Sequence, residues 1–466
     1  MPLAVLFLAI FVVEPISGDG RGAVAAFLLI DLAAVCIHLY GTRESNWHRL
    51  DTVFLLGYCI VNFQWVALAW GTDFVPKHGF QARLLEQYGE QTLPLSSIGL
   101  LAWLMGNAVR LPVRTHSRVV LLHTRRLAFI FLVTVSAFAV TAGATFFRGD
   151  IYKYGANVLS HNMGRLPRYI WAILDIQALI VIAALYFLYK APAMQEGSAV
   201  GRRRKPNRRT RRWLIHSLVV YVLVFAIAGE RGQLISVFLA VTLVYSRNVR
   251  PIGLGLSLIT AGLGAVLLTA MGILRSLRDG DVFHLDGSAG LWGMTNTLAS
   301  SFVTLAEACA LSDAGDRTFM GQYWISQLMG VIPFAQSILG PLHGLSEPEV
   351  SSATKFTTSI FGANPSSAVG TSLAADLYLN VGAVGLALFA FALGVWARLL
   401  HGWLRGQAGF GRFYCSVVFA AFSLYLSRSS LAVSVRPTLW GLLMIALILR
   451  VTVIRSMGAP GSLHGN

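Results

Sequence analysis

An acid and a base, Glu230 and Arg231, occupy a glycine-bounded turn between two apolar runs, residues 213–228 and 234–245. An ionisable residue at membrane depth is costly, so it is a candidate functional residue by default. The arginine fork donates two parallel hydrogen bonds to phosphate and stays protonated, so Arg231 is a candidate phosphate ligand. Adjacent helical residues do not face each other, so Glu230 is predicted to hold a different arginine, with action as a base as the alternative.

Four further arginines are predicted at the ends of membrane spans on the same face. Arg275 and Arg278 are three residues apart and therefore share one side of a helix end. Arg428 ends one span and Arg436 begins the next. If these helix ends converge, they make a cationic pocket at the depth of a lipid pyrophosphate. The alternative is that each arginine reaches the lipid headgroups or pairs with a nearby acid such as Asp279.

Candidate proton acceptors lie in the long loop before residue 371 and at the start of the span that follows it. A histidine or carboxylate held near an acceptor hydroxyl can act as a general base. We select His343 and Glu347, which lie between two prolines in a turn-forming stretch, with solvated loop side chains as the alternative. Asp376 lies inside an apolar span and needs a partner or a water-filled cavity there, and one of the arginines would suffice as that partner. The same region also holds His284, Glu307 and Glu349.

Other classes of catalytic site are missing from the sequence. No HExxH, GxSxG or P-loop pattern occurs, and Asp279-Gly280-Asp281 is typical of a turn, so we predict no metal and no cofactor. The four cysteines are scattered without paired spacing, which indicates neither a metal site nor a disulfide framework. They are Cys36, Cys59, Cys309 and Cys415.

The composition is that of an integral membrane protein. Of 466 residues, 55% are hydrophobic and 12% are charged, and the mean hydropathy is +0.64. Soluble domains carry about 25% charged residues. The net charge of +16 resides mainly in loops, where it sets orientation and meets anionic lipid, so nucleic acid is not a predicted partner. The fold class is therefore all-α, a polytopic bundle of transmembrane helices.

Twelve candidate spans occur along one integral membrane domain, residues 1–466. The loops 110–126 and 190–212 hold five and nine Lys or Arg residues, which predicts that both are cytoplasmic. Both termini then lie in the cytoplasm, with 201–212 as a basic cytoplasmic linker. A large periplasmic loop, 275–370, lies on the outer face. Two stretches in it, 289–311 and 322–338, are predicted as short amphipathic helices that lie on or dip into the membrane, the second broken at Pro333. The spans are residues 2–13, 22–40, 52–70, 93–109, 127–147, 169–189, 213–228, 234–245, 252–274, 373–400, 413–426 and 435–453.

Five short patterns between residues 213 and 440 resemble those of Wzy-type O-antigen polymerases. The stretch 228–234, Ala-Gly-Glu-Arg-Gly-Gln-Leu, is similar to their Gly-x-Arg-Gly turn, and Ile-Leu-Arg-Ser-Leu-Arg at 273–278 to the start of their periplasmic loop. The stretch from Phe-Met-Gly-Gln-Tyr to Val-Ile-Pro at 319–333 resembles their loop pattern. The stretch 376–385, Asp-Leu-Tyr-Leu-Asn-Val-Gly-Ala-Val-Gly, is similar to their re-entry into the membrane, and 426–430, Leu-Ser-Arg-Ser-Ser, to the arginine near their last span.

The resemblance implies a glycosyltransferase of the bacterial inner membrane with a periplasmic active site. A glycan on undecaprenyl pyrophosphate is the donor, a lipid-linked repeat unit is the acceptor, and a chain-length regulator protein is a further partner beside membrane lipid. Fixed arginines would stabilise the pyrophosphate leaving group without a metal. The catalytic residues would be Arg231, Arg275, His343 and Glu347. The substrate-binding residues would be Arg278, Arg428, Arg436, Glu230, Asp376 and Tyr378.

Two other functions remain open at this point. An O-antigen ligase has a similar architecture and the same donor, and it would use arginines with a loop histidine such as His343. A transporter would line a solute path with buried charges and would show internal repeats and broken helices at the bilayer midplane. No repeat is visible in the sequence.

Overall fold

A computed structural model describes most of the helical part of the chain. The described residues are 20–41, 46–71, 74–76, 79–109, 111, 124–147, 165–190, 208–264, 266, 295–296, 298–314, 321–329, 331, 351–362, 369–404 and 409–457. All regular secondary structure within these ranges is helical, which confirms the predicted fold class.

The helices follow the apolar runs of the sequence in chain order. Their bounds are α1 Gly20–Gly41, α2 Leu50–Gly71, α3 Gly79–Ala108, α4 Thr124–Phe147, α5 Arg165–Lys190, α6 Arg208–Ala228, α7 Arg231–Asn248, α8 Leu254–Gly264, α9 Phe302–Asp313, α10 Gln322–Met329, α11 Ser352–Phe361, α12 Leu373–Trp403, α13 Phe410–Phe422 and α14 Ala432–Met457. A 3-10 helix, Tyr425–Arg428, lies between α13 and α14.

Six of the helices in the described ranges are long and apolar enough to cross a membrane: α1, α2, α4, α5, α6 and α12. Helices α8, α13 and α14 contribute shorter apolar stretches. The count of twelve spans stays a prediction, because the first candidate span lies outside the described residues and others are short. The run predicted at 413–426 ends as an α-helix at Phe422 and continues as the 3-10 helix.

Helices α3 and α12 pack against each other closely enough that their backbones meet. A Cβ added at Gly106 would lie 2.0 Å from the carbonyl oxygen of Phe391. A Cβ added at Gly394 would lie 2.2 Å from the carbonyl oxygen of Trp103. Small residues at such crossings let helices approach in a membrane, where packing rather than the hydrophobic effect drives association. This helix pair carries the elements that surround the candidate site.

Replacing Gly106 by alanine is expected to destabilise the protein by about 1–3 kcal/mol, because a backbone atom blocks the added methyl group. Gly262 of α8 is the matched control, since a Cβ there meets nothing within 4 Å. Alanine at that position should be neutral or slightly stabilising in a helix. Unfolding of the two purified variants in mixed micelles measures the difference. Equal stability of the two would contradict the close helix contact.

Three short helices form within the segment predicted as a periplasmic loop, α9, α10 and α11. The stretch 289–311 is predicted as an amphipathic helix that lies on or dips into the membrane; the structure shows its described part, α9, buried within the protein along consecutive residues from Phe302 to Cys309. Its contacts are with α3, α12 and α11. Eight consecutive buried positions cover every side of a helix, so α9 is a core element rather than one lying on a surface.

Candidate functional site

The turn between α6 and α7 depends on Gly229, whose φ of +79° lies in the left-handed region. This conformation favours glycine because it has no Cβ. The amide N–H of Glu230 donates to the carbonyl of Phe225 at 2.9 Å, which closes the end of α6. Glu230 is extended, with φ −80° and ψ 94°, and α7 begins at Arg231. The predicted glycine-bounded turn with an acid and a base at its tip is therefore present.

The Glu230 side chain points into the protein and is only 7% exposed. The amide of Gln233, one turn into α7, donates its nitrogen to Glu230 Oε2 at 3.2 Å when oriented to match both of its neighbours. In that orientation its oxygen accepts from the Trp171 indole nitrogen at 3.1 Å. Glu230 is thus held by a polar network that extends from the turn to α5.

Arg428 is the last residue of the 3-10 helix and is largely buried. Helices α2 and α12 both contact this short helix. The approach of α2 is close, since a Cβ at Gly57 would lie 2.6 Å from the Leu424 carbonyl oxygen. Burial lowers the pKa of the Arg428 guanidinium, and the neighbouring Tyr425 opposes this effect. A guanidinium ordinarily titrates above pH 12, so Arg428 is a fixed cation.

The Tyr425 phenol joins Arg428 to the turn before α7. Burial raises the pKa of Tyr425. The positive charges of Arg428 and Arg231 lower this pKa, and the negative charge of Glu230 raises it. Charges that act on one side chain in this way lie within electrostatic reach of it. Helix α13, which leads into the 3-10 helix, also packs against α7. The structure therefore brings together three of the predicted site residues, Glu230, Arg231 and Arg428.

Asp376 lies at the start of α12, fully buried, and its two oxygens accept hydrogen bonds from three other segments and from α12 itself. Oδ1 accepts from the Ser352 hydroxyl of α11 at 2.6 Å and from Asn380 at 3.4 Å. Oδ2 accepts from the Trp324 indole of α10 at 3.1 Å and from the backbone N–H of Leu431 at 3.2 Å. Within the described residues Asp376 therefore has the partners that a carboxylate in an apolar run requires, and these four donors are neutral.

This arrangement makes Asp376 a link between α10, α11, α12 and the segment that carries Arg428. Leu431 stands three residues after Arg428, and its N–H is fixed by the carboxylate. A buried carboxylate is tolerated when its lone pairs are satisfied by donors. Asp376 thus helps to position the segment that follows Arg428.

Two further substrate-binding candidates lie apart from this group. The Tyr378 hydroxyl donates to the Ser312 hydroxyl of α9 at 3.4 Å. Arg436 is exposed on α14, immediately before Pro437. The electrostatic group around Tyr425 includes Arg231 and Arg428 but not Arg436. Four predicted residues fall outside the described part of the chain: Arg275, Arg278, His343 and Glu347.

Sequence reasoning missed Asp175, Tyr221 and Tyr425. The Tyr221 hydroxyl of α6 donates to Asp175 Oδ1 of α5 at 2.7 Å, and the network of Glu230 and Gln233 adjoins this pair. The signal for Asp175 was present, since it is an acid inside an apolar run. Tyr425 carried no such signal because its place depends on tertiary packing.

The assembled groups can bind a polyanion. The charges of Arg231 and Arg428 both act on the half-buried Tyr425 phenol, and the Glu230 carboxylate offsets part of their charge. Arginine forks match phosphate oxygens in geometry, and burial strengthens each contact because the local dielectric is low. Within the described ranges no group of three or more His, Cys, Asp or Glu side chains is placed to hold a metal ion.

Comparison with known proteins gives one match. The family described as O-antigen polysaccharide polymerase Wzy matches residues 204–458, which is more than half of the chain. The matched region includes the turn before α7, the 3-10 helix and Asp376. Neither the curated proteins nor the solved structures contain a match to this sequence.

Proposed function

Because the chain belongs to the Wzy O-antigen polysaccharide polymerase family and is a multi-pass membrane protein, we propose that it joins undecaprenyl-pyrophosphate-linked repeat units into a longer glycan. The growing glycan on undecaprenyl pyrophosphate is the donor, and a single lipid-linked repeat unit is the acceptor. The reaction takes place at the periplasmic face of the bacterial inner membrane, with both termini of the chain in the cytoplasm. The enzyme is a glycosyltransferase.

The reaction forms one bond and breaks one bond at the donor's anomeric carbon. A sugar hydroxyl of the acceptor attacks this carbon, its proton passes to a base, and the bond to the pyrophosphate oxygen breaks. Undecaprenyl pyrophosphate leaves with the electron pair, so negative charge grows on its oxygens. Fixed cations aimed at this charge lower the barrier without a metal, and loss of one such donor typically costs 10²–10³-fold in kcat.

The observation that supports this proposal is the common electrostatic contact of Arg231 and Arg428 with Tyr425. Two arginines almost two hundred positions apart act on the same tyrosine, within the region that matches the polymerase family. A pair of guanidinium groups on one anion is suited to pyrophosphate, which carries charge on two adjacent phosphorus centres. We assign Arg231 and Arg428 to the leaving group.

The remaining residues take roles that follow from the same scheme. Arg275 and Arg278 add to the cationic pocket, and Arg436 binds the second lipid-linked substrate or positions the loop. His343 or Glu347 takes the proton of the acceptor hydroxyl. Asp376 and Tyr378 shape the acceptor side. A chain-length regulator protein is the expected partner within the membrane.

The test is the length distribution of lipid-linked glycan in cells that lack this protein. Single repeat units without a ladder are expected, and the ladder should return when the gene is restored. A full ladder retained on undecaprenyl pyrophosphate would indicate an O-antigen ligase instead. An unchanged distribution would contradict both functions and favour a transporter.

A further inference from the structure

A groove lies between α12, α13 and α14. It has a volume of about 230 Å³, and apolar side chains make up most of its lining, among them Phe419 of α13. Two of the lining side chains, Trp396 of α12 and Leu439 of α14, are 40% and 52% exposed, so the groove opens on the outside of the helix bundle. Neither Tyr425 nor Arg428 is among the residues that line it, so the groove is distinct from the site described above.

The two hydroxyl groups in the groove lining are turned back onto their own helix. The Thr438 hydroxyl donates to the Ser434 carbonyl at 2.6 Å, and the Ser434 hydroxyl donates to the Leu431 carbonyl at 3.5 Å. A hydroxyl that donates to the preceding turn of its helix has no hydrogen left to give to a ligand. The groove is therefore suited to a hydrocarbon chain rather than to a sugar or a peptide.

Hydrogen bonds between the three helices fix the walls of the groove. The Ser416 hydroxyl of α13 donates to the Leu400 carbonyl of α12 at 2.9 Å. The Tyr414 hydroxyl of α13 donates to the Pro437 carbonyl of α14 at 2.8 Å. Both bonds join buried groups, so the spacing of the helices around the groove is set by the fold.

A cation stacked on an indole lies beside the groove. The ring of Trp396 meets that of Trp403 edge to face, with the two centroids 5.4 Å apart. The Arg412 guanidinium lies 5.6 Å from the centroid of the Trp403 ring, a cation–π contact. Arg412 is exposed in the first turn of α13, one turn before Cys415 of the groove lining. An exposed cation, two indoles and an apolar groove thus follow one another.

This order of groups matches a membrane phospholipid with an acidic head group. Tryptophan rings are typical of the boundary between headgroups and acyl chains, and basic side chains there attract anionic lipid. Trp403 is the last residue of α12, whereas Asp376 lies in its first turn, so the two are at opposite ends of the helix. In the topology proposed above, Trp403 is at the cytoplasmic end. The pyrophosphate of the lipid-linked substrates lies at the other face.

We propose that the groove binds one acyl chain of an acidic glycerophospholipid from the cytoplasmic leaflet, and that Arg412, stacked on Trp403, binds the phosphate of this lipid. The site is separate from the proposed function, because it contacts neither the glycan nor its carrier. A lipid that binds the folded protein stabilises it. This lipid fills the space between α12, α13 and α14 and therefore stabilises that side of the bundle.

The experiment uses phosphatidylglycerol with a photoreactive diazirine in one acyl chain, in vesicles of unlabelled phosphatidylcholine that contain the full-length protein. Irradiation should attach the label to the groove lining, near Cys415 and Leu439, and peptide mapping locates it. The matched probe is phosphatidylcholine with the same diazirine. It should label the groove about fivefold less, which is the effect of one basic side chain on an acidic lipid.

Two pairs of variants test the two parts of the site. Arg412→Ala should lower labelling of the groove by phosphatidylglycerol about fivefold. Its control, Arg126→Ala, removes an exposed arginine from the first turn of α4 and should leave the labelling unchanged. Thr438→Phe places a ring in the groove and should abolish labelling there by both probes. Its control, Leu443→Phe, changes an exposed position of the same helix and should not.

Equal labelling by the two probes, or labelling by phosphatidylglycerol that Arg412→Ala leaves unchanged, would overturn the proposal. Absence of label from the groove with both probes would show that protein covers it. If unlabelled polyprenyl phosphate competes better than unlabelled phosphatidylglycerol, the groove binds the carrier lipid instead. Should Thr438→Phe not fold, competition by unlabelled phosphatidylglycerol in the wild type decides, because labelling that persists contradicts a specific site. None of these measurements uses polymerisation, so their failure leaves the proposed function standing.

Discussion

Polymerisation by an Arg428→Ala variant is expected to fall by about 10²–10³-fold in kcat, because the leaving pyrophosphate loses one of its fixed cations. Arg428 is largely buried beside Tyr425, so no solvent cation or water dipole replaces it at low cost. Arg231→Ala should produce a loss of the same order, since both arginines act at the same place. The measurement is the rate of ladder formation by purified protein from lipid-linked repeat units.

Matched variants distinguish three causes of a lower polymerisation rate: loss of the positive charge, loss of the two parallel hydrogen bonds of the guanidinium group, and loss of the fold. Arg428→Lys keeps the charge but gives up the two parallel hydrogen bonds, so its rate should lie between those of the wild type and of Arg428→Ala. Arg83→Ala removes an exposed arginine near the start of α3 and should leave the rate unchanged. If Arg428→Ala is folded and polymerises as fast as Arg83→Ala, Arg428 does not bind the leaving group.

The turn at 229–232 was predictable because its determinants are local. Glycine permits the left-handed conformation, and the apolar runs on either side fix the ends of α6 and α7. The structure confirms the end of α6 at Ala228, whereas α7 begins at Arg231, three residues before the predicted run. The all-α class followed in the same way from composition and run length.

The partner of this turn was less predictable because it depends on tertiary contacts. The sequence places Arg428 at the end of a span, but only packing on α2 and α12 turns the 3-10 helix toward Arg231. The partners of Asp376 were hard to predict from the sequence for the same reason. Its need for partners follows from its apolar run, yet the indole, hydroxyl and backbone donors that serve it come from three distant segments.

Acids within apolar runs were the clearest signal left unused. Asp31 accepts from the Ser97 hydroxyl at 2.6 Å, and Asp175 accepts from Tyr221. Each stands alone in a predicted span, so the sequence could mark it as a candidate. It could not distinguish their roles: Asp175 adjoins the arginine site through Gln233, whereas the Asp31 contact joins α1 to α3.

An Asp376→Ala variant is expected to lose about 2–4 kcal/mol of stability, because buried donors from α10, α11 and the Leu431 backbone lose their acceptor at once. Polymerisation should fall with it, since the segment bearing Arg428 is no longer fixed. Asp376→Asn should be intermediate in stability, because one amide oxygen remains while the NH₂ group meets other donors. Unfolding in mixed micelles and the polymerisation rate are measured on the same preparations.

Whether stability and polymerisation are lost together distinguishes two roles for Asp376. If Asp376 takes the proton of the acceptor hydroxyl, the Asp376→Asn variant should lose its activity but keep its stability. A carboxylate that links four elements loses both together, and the activity of Asp376→Asn recovers in part under conditions that stabilise the fold. Asp313→Ala, an exposed acid on α9, controls for removal of a charge. Because its carboxylate accepts hydrogen bonds from α10, α11, α12 and the backbone of Leu431 at once, we expect Asp376 to show the second pattern, in which it positions the arginine segment.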